Sequence, residues 1–310
     1  MENRKSSILT IGIPTYNRSQ FLKKCLDYIC PQLTEDVCVV VRDNCSENYD
    51  FKSFIAPYEE KYGVLAFQNK VNVGGDANIA KIYETCETKW LWVIGDDDYI
   101  QDDAVARVLQ TIQENPDAIY VKFNSPYTGE TKGLLGFCEA MKPHGAFAYS
   151  FFTSECLNNL DPLNGYMFWH YRYLSTYCAQ VLRVIKYLSQ NVEARCIFTS
   201  DEILLEHGAE ISWCRFDIVP YQILLYDIFR PYKKMMRNNI LRDITSYCLV
   251  YIDSAQISWR EKWYYYSLVI HKYGLFNSFR YNYVELFRIP LRKVLNRELY
   301  SKLKHLVRKR

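Results

Sequence analysis

The chain has 310 residues, 49% hydrophobic, 16% aromatic and 24% charged, with a formal net charge of +3. This apolar content supplies a core and excludes disorder. The near-balanced charge argues against nucleic acid as a partner, and no uninterrupted apolar stretch approaches the roughly 20 residues of a membrane span. The balance is uneven along the chain, because residues 280–310 carry ten basic and two acidic side chains, net +8, which leaves −5 on the other 279 residues. From the N-terminus, Ile8–Thr15 reads as a short strand ended by Pro14 and polar residues. Phe21, Leu22, Cys25, Leu26 and Ile29 recur at helical spacing up to Pro31. Val37–Val41 is a continuous apolar strand that delivers the chain to Asp43-Asn44-Cys45-Ser46. Asp50–Tyr62 reads as a helix interrupted in character by Pro57, and Val64–Phe67 as a third strand.

Asn72-Val73-Gly74-Gly75 then precedes the amphipathic stripe Ile79, Ile82, Tyr83 and Cys86. Trp90–Ile94 is the next buried strand and ends on Gly95-Asp96-Asp97-Asp98. Val105, Val108, Leu109 and Ile112 form another stripe, and Ala118–Phe123 a fifth strand. Strands that are apolar throughout and alternate with helices predict an α/β fold with a mainly parallel sheet covered on both faces. The loops after such strands gather on one edge, where ligands bind. Beyond Asn124 the pattern changes. Ser125–Gly145 reads as loops with a hairpin, Tyr171–Leu188 and Asp201–His207 as helices, Ile211–Val219 as a strand, and the chain from Tyr221 as mostly helical. These shifts divide the chain into residues 1–220, with halves at 1–125 and 126–220, and a helical extension at 221–310.

Asp96-Asp97-Asp98 is the sharpest chemical feature. Two like charges about 4 Å apart repel by about 4 kcal/mol at an effective dielectric near 20. Three adjacent carboxylates therefore either splay into water or gather round a cation, and their hard oxygens suit Mg²⁺ or Mn²⁺. A turn such as Asn72–Gly75 before a helix can present N–H groups to a phosphate-bearing ligand. The Gly-x-Gly-x-x-Gly and Gly-x-x-x-x-Gly-Lys-Ser/Thr signatures are absent, which removes support for standard dinucleotide-binding and P-loop readings.

Four motifs in order, Ile11–Arg18, Val40–Ser46, Asn72–Gly75 and Trp92–Asp98, resemble those of family 2 glycosyltransferases with a GT-A fold, over roughly residues 8–124. The resemblance implies inverting transfer of a sugar from a nucleotide-diphosphate sugar to a glycan or lipid-linked acceptor, with Mn²⁺ or Mg²⁺, in bacterial cell-surface polysaccharide or lipopolysaccharide synthesis. By matching position, Pro14, Thr15, Tyr16, Asn17 and Arg18 would face the donor, Asp43 its base, Asn72 and Gly74 its nucleotide and Asp96 its ribose. Asp97 would be the principal metal ligand, with Asp98 supporting it. Gly95 stands where many relatives have an acid. The acceptor's base is expected at Asp201, with Glu202 as the alternative, in a segment that also reads as the capped start of a helix. The five histidines have no metal-ligand spacing; some members of the family supply a late histidine to the metal, which the resemblance would assign to His170 or His207, and a core or surface role is the expectation for both.

Two other functions stay open on the residues alone: a sugar-phosphate nucleotidyltransferase, and a non-catalytic nucleotide-binding scaffold in a glycan-assembly complex. The first would open on a Gly-rich basic signature, where this chain has Pro14-Thr15-Tyr16-Asn17. The intact acidic triplet argues against the second. Within Leu291–Arg310, apolar residues recur at helical spacing between Lys and Arg, a pattern that suits an anionic membrane surface. Residues 1–7 lack an apolar signal core, and the eleven cysteines form no Cys-x-x-Cys pair. Reduced thiols in a cytoplasmic, peripheral protein are the expectation.

Overall fold

Consecutive apolar residues with no polar alternation can only be buried on both faces, and the first strands of this chain are. The computed structural model describes residues 8–141, 153–174, 179–206, 252 and 255–273. Strand β1 (Leu9–Thr15) is followed by helix α1 (Ser19–Ile29), β2 (Val37–Asp43), α2 (Phe51–Tyr62), β3 (Leu65–Gln68), α3 (Gly75–Thr85) and β4 (Trp90–Val93). A short β5 (Tyr99–Ile100) leads into α4 (Ala104–Glu114), β6 (Tyr120–Lys122), β7 (Gly129–Lys132) and α5 (Gly133–Met141). After these come β8 (Cys156–Asn159), the one-turn α6 (Leu160–Leu163), α7 (Met167–Arg172), α8 (Ala179–Leu188), β9 (Arg195–Phe198), β10 (Leu204–Glu206) and α9 (Trp259–Tyr273).

Eight strands form one sheet in the order β3-β2-β1-β4-β8-β6-β9-β7. The first four pair in parallel, as does β6 with β9, whereas β8 and β7 run antiparallel to their neighbours. The sheet is therefore mixed, with its parallel half where the apolar runs predict it. Alternate residues separate its faces. Leu9, Ile11, Ile13, Trp90 and Trp92 join the buried residues of α1, α2 and α4 in the main core. Leu91 and Val93 point the other way, onto Ile82 and Tyr83 of α3. Gly12 lies beneath α3 on that second face, and a Cβ there would stand 2.3 Å from Ile82 Cγ2, so only glycine permits this approach.

The helix from Phe51 to Tyr62 continues through Pro57. It is capped by Asp50, whose carboxylate accepts from the Lys52 and Ser53 amides at 3.1 and 3.4 Å. The second half departs further from the sequence pattern. The stretch expected as loops and a hairpin contains β7 and the buried α5. The helix expected over 171–188 is not continuous, since α7 ends at Arg172 and α8 starts at Ala179. In place of the helix expected over 201–207, residues 201–203 form a loop and Leu204–Glu206 is strand β10, paired antiparallel with β5, Leu204 opposite Ile100. Pairing with the segment after the acidic triplet overrides the local helical pattern.

The chain divides into two units, residues 1–211 and 212–310. In the second, α9 is the described element. The strand expected over 211–219, the basic tail and His207 lie outside the described residues. No described helix is long and apolar enough to cross a membrane. The eight described cysteines are all free thiols.

Candidate active site

The parallel pairing brings the carboxyl ends of β1, β2 and β4 together, and with them most of the residues expected at the site. Three described non-glycine residues have positive φ: Asn17 (56°), Cys45 (67°) and Asn124 (49°). Each lies two residues beyond the end of a strand, β1, β2 and β6 respectively. Left-handed backbone costs a non-glycine residue on the order of 1 kcal/mol or more and concentrates at functional edges. Here it is held by hydrogen bonds. The Asn17 amide donates to Ser46 Oγ at 2.7 Å, and Asn17 Oδ1 accepts from the Glu47 amide at 2.8 Å. The loops after β1 and β2 are thereby tied together.

Asp43 ends β2 fully buried. Its carboxylate accepts from the Ser46 amide at 2.8 Å, from Gln68 Nε2 at 3.0 Å and from the Ser46 hydroxyl. Beside it runs a network of side-chain amides. Asn44 Nδ2 donates to Asn72 Oδ1 at 2.7 Å, and Asn69 Nδ2 donates to Asn44 Oδ1 at 3.0 Å and to Asn78 Oδ1 at 2.7 Å. Asn72 Oδ1 also accepts from the Gly74 amide at 2.9 Å. Gly74, at φ +85°, turns the chain into α3. Asn72 and Gly74 thus sit where expected, at the start of that helix.

At the end of β4 the acidic triplet folds round its glycine. A Cβ at Gly95 would stand 2.9 Å from Asp98 Oδ2 and 3.1 Å from Asp97 Oδ1. The missing side chain is what lets the two carboxylates turn back toward residue 95. Asp96 is buried, accepting from Thr15 Oγ1 at 2.7 Å and from Arg18 Nη1 at 2.9 Å. Arg18 Nη2 reaches Asp97 Oδ2 at 2.5 Å, so one guanidinium bridges two acids. Asp98 accepts from Ser154 Oγ at 2.5 Å, and Ser154 Oγ accepts in turn from the Gly95 amide at 3.0 Å. Burial pushes the Asp96 carboxyl up to about 7, against the downward pull of Arg18 and the Thr15 hydrogen bond, with Asp97 and Asp98 adding to the rise.

Among the described residues no three His, Cys, Asp or Glu side chains form a ready metal cage. The oxygen-only triplet nonetheless fits a hard divalent cation, which commonly takes one or two carboxylates and completes its shell with substrate phosphates. Gly95 leaves the space for Asp97 and Asp98 to gather. His170 does not join this group. It is buried on α7, edge-on to Tyr83 of α3 with ring centroids 5.0 Å apart, and burial beside Arg183 lowers its pKa to about 3.

Pro14 and Thr15 end β1, Tyr16 is exposed at the following turn, and Asn17 and Arg18 complete the segment. Asp201 and Glu202 arrive at the same edge after β9, which is parallel to β6. They are engaged differently from the triplet. Asp201 Oδ1 accepts from Arg107 Nη1 at 2.9 Å, and the Glu202 carbonyl accepts from Arg107 Nη2 at 2.9 Å. Arg107 belongs to α4 and also pairs with Asp103 at 3.1 Å. The carboxylate of Glu202 is exposed and makes no hydrogen bond among the described residues. The site residues that sequence reasoning missed are Ser154, Asn69 and the pair Asn44 and Ser46. The last two stood inside the second motif. Asn69 follows β3 directly, and Ser154 lies in a single 3₁₀ turn, Thr153–Glu155, too short to leave a periodic signal.

Comparison with known proteins gives the family and the fold. An abequosyltransferase of Salmonella typhimurium, RfbV, is 28% identical over 118 residues, 37% of this chain and 35% of its own length. The curated relatives are matched over no more than 58% of their length. Among solved structures, TarS of S. aureus (residues 1–349, in complex with UDP-GlcNAc) superposes with a TM-score of 0.54 at 15% identity, over 88% of this chain and 75% of that one. The mannosyltransferase PcManGT of Pyrobaculum calidifontis, in complex with GDP-Man and Mn²⁺, superposes with a TM-score of 0.53 at 14% identity, over 86% of this chain and 79% of that one. These likenesses establish the GT-A fold. Residues 10–174, from β1 through the acidic edge to α7, match the model of Glycosyl transferase family 2, and the chain belongs to that family.

Proposed function

We propose that this protein transfers one sugar from a nucleotide-diphosphate sugar to an acceptor hydroxyl, with inversion and with a divalent cation, Mn²⁺ or Mg²⁺. The observation that carries this reading is the acidic triplet gathered round Gly95 at the strand edge, beside the buried Asp43. The nucleotide-sugar complexes of TarS and PcManGT, and the Mn²⁺ in the latter, support it. In this reading Pro14, Thr15, Tyr16, Asn17 and Arg18 flank the donor, Asp43 meets its base, and Asn72 and Gly74 face its nucleotide. Asp96 takes the ribose, and Asp97 with Asp98 would hold the metal. A bound cation would neutralise charge on the departing diphosphate.

A carboxylate takes the proton from the acceptor hydroxyl, the oxygen attacks the anomeric carbon, and the bond to the diphosphate breaks on the opposite side. The base is drawn from Asp201 and Glu202. Asp201 acts only if Arg107 releases it, whereas Glu202 is already exposed. Glutamine at 202 and asparagine at 201 distinguish them: the true base loses kcat with little change in donor affinity. The acceptor is proposed to be a glycan or lipid-linked glycan of a bacterial cell surface. The basic segment 280–310 would hold the enzyme peripherally on the anionic cytoplasmic face of the membrane.

The test is donor turnover across a panel of nucleotide sugars with Mn²⁺. Wild type should release a nucleoside diphosphate, and Asp97→Ala should lose roughly two orders of magnitude or more, the scale of Lewis-acid stabilisation. Release of pyrophosphate instead, or full turnover by Asp97→Ala, would refute the reading.

A further inference from the structure

Three buried polar side chains on α3, α7 and α8 take no part in the chemistry proposed above. Arg183 lies on α8 with 0% exposure, His170 on α7 with 1% and Tyr83 on α3 with 2%. Tyr83 stands between the other two. The Arg183 guanidinium carbon lies 4.1 Å from the centre of its ring, and the His170 ring meets it edge-on at 5.0 Å. Each of the three keeps polar atoms that are closed off from solvent and have no hydrogen-bond partner: Arg183 Nε and Nη2, both ring nitrogens of His170, and the Tyr83 hydroxyl. Native interiors leave few such atoms unpaired, so a cluster of them points to a ligand.

The guanidinium identifies the chemistry of that ligand. Arginine does not lose its proton in proteins, so a full positive charge is buried here. Its face is covered by the Tyr83 ring, and Nη1 donates to Met167 Sδ at 2.8 Å, a weak acceptor without charge. Among the described residues no carboxylate pairs with it. The unpartnered atoms, Nε and Nη2, are the two parallel donors that grip an anion side-on. The Tyr83 hydroxyl is a third donor. His170 adds one N–H, because burial and then Arg183 lower its pKa to about 3 and keep the ring neutral. The surroundings are apolar, since Tyr83 belongs to a cluster with Ile82, Leu91, Val93 and Leu160. Water would satisfy these donors without offsetting the charge, which is the larger cost in such a medium. A second protein chain does not reach a guanidinium that has no exposed surface. A small inorganic ion meets both requirements.

We propose that Arg183, Tyr83 and His170 form a buried site for one small monovalent anion, a halide or a planar oxyanion such as nitrate, held on the Nε–Nη2 edge of Arg183. The ion ties together three helices that otherwise meet through apolar contacts and ring stacking. The experiment follows the thermal midpoint of the full chain as sodium chloride replaces sodium gluconate at constant ionic strength, with bromide and nitrate in parallel. Gluconate keeps the screening constant and is too bulky for an enclosed site. The wild-type midpoint should stay flat at low chloride and then climb with its logarithm, as for a ligand bound only by the folded state. Tyr83→Phe keeps the ring on the guanidinium and removes one donor, so the climb should begin at roughly threefold to tenfold higher chloride, the worth of one hydrogen bond. Arg183→Met should abolish the climb. Crystals grown in bromide should show anomalous scattering within hydrogen-bond distance of Arg183 Nε and Nη2, a readout that does not depend on either variant folding. A wild-type midpoint indifferent to the anion overturns the site. So does a climb that survives Arg183→Met, an unshifted onset in Tyr83→Phe, or water alone beside the guanidinium in the bromide crystals.

Discussion

Arg18 is the residue on which the acidic site turns. Its guanidinium holds Asp96 and Asp97 together at 2.9 and 2.5 Å and lies over the Phe21 ring at 4.7 Å. If Asp97 holds a cation, Arg18 competes with it until a diphosphate draws the arginine away. Arg18→Gln should then bind Mn²⁺ without donor roughly fivefold more tightly than wild type, the scale of about 1 kcal/mol for a partly exposed ion pair. Titration calorimetry checks this, and unchanged or weaker affinity would contradict the competition. A second residue, Lys122, is buried with its ammonium on Glu155 and on the Phe123 carbonyl at 2.7 Å. Lys122→Met leaves the Glu155 charge without its cation, so chemical denaturation should show a loss of about 3–5 kcal/mol. Changing both residues to apolar ones should recover much of it. His170 contributes through its proton. The unfolded chain takes up that proton near pH 6.5 and the folded chain only near pH 3, because burial and then Arg183 disfavour the imidazolium. The unfolded state binds more protons across that interval, so stability falls as pH drops from about 6.5 towards 3. His170→Phe should flatten that part of the stability–pH curve.

At the scale of elements, the packing of α3 on β1 depends on the absent side chain of Gly12. Gly12→Ala drives a methyl to 2.3 Å from Ile82 Cγ2 and should cost about 1–3 kcal/mol, with Ile82→Ala in the same chain, which removes that Cγ2, costing less than the two changes summed. Because α3 starts directly after Gly74, beside the Asn44–Asn72 pair, a shift of the helix should also weaken donor affinity, which separates it from purely thermal damage. Strand β10 teaches a different lesson. Asp201–His207 has apolar spacing that a helix could use, yet Leu204 pairs with Ile100 and the Gln101 amide donates to the Ile203 carbonyl at 3.0 Å. Two backbone partners separated by about a hundred residues decided its conformation. The same distance hid the assignment of Asp201, whose carboxylate is taken by an arginine on α4. Strands β1, β2 and β4, by contrast, were legible because each is buried on both faces and reads as an unbroken apolar run.

For the whole molecule, the donor edge predicts linkage between binding and folding. A nucleoside diphosphate with Mn²⁺ at about one hundred times its Kd should stabilise the protein by about 2.7 kcal/mol. A thermal shift screened over different bases would identify the preferred donor nucleotide, and an equal shift in Asp97→Ala would argue against a metal-assisted site. The uneven charge also acquires a spatial meaning. Acids belong to the sheet edge in the first unit, and the basic surplus to the second. The sequence by itself determined the parallel α/β half, the family and the edge at which its motifs meet, because burial on two faces and strand-end loops leave contiguous signatures. Only the tertiary structure decided that Arg18 bridges two of the three acids, that Ser154 holds the third, that β8 and β7 reverse the sheet, and that the candidate bases sit in a loop before a strand instead of at the start of a helix. Those depend on partners far apart in the chain, whose meeting is set by packing and pairing and leaves no local pattern to read.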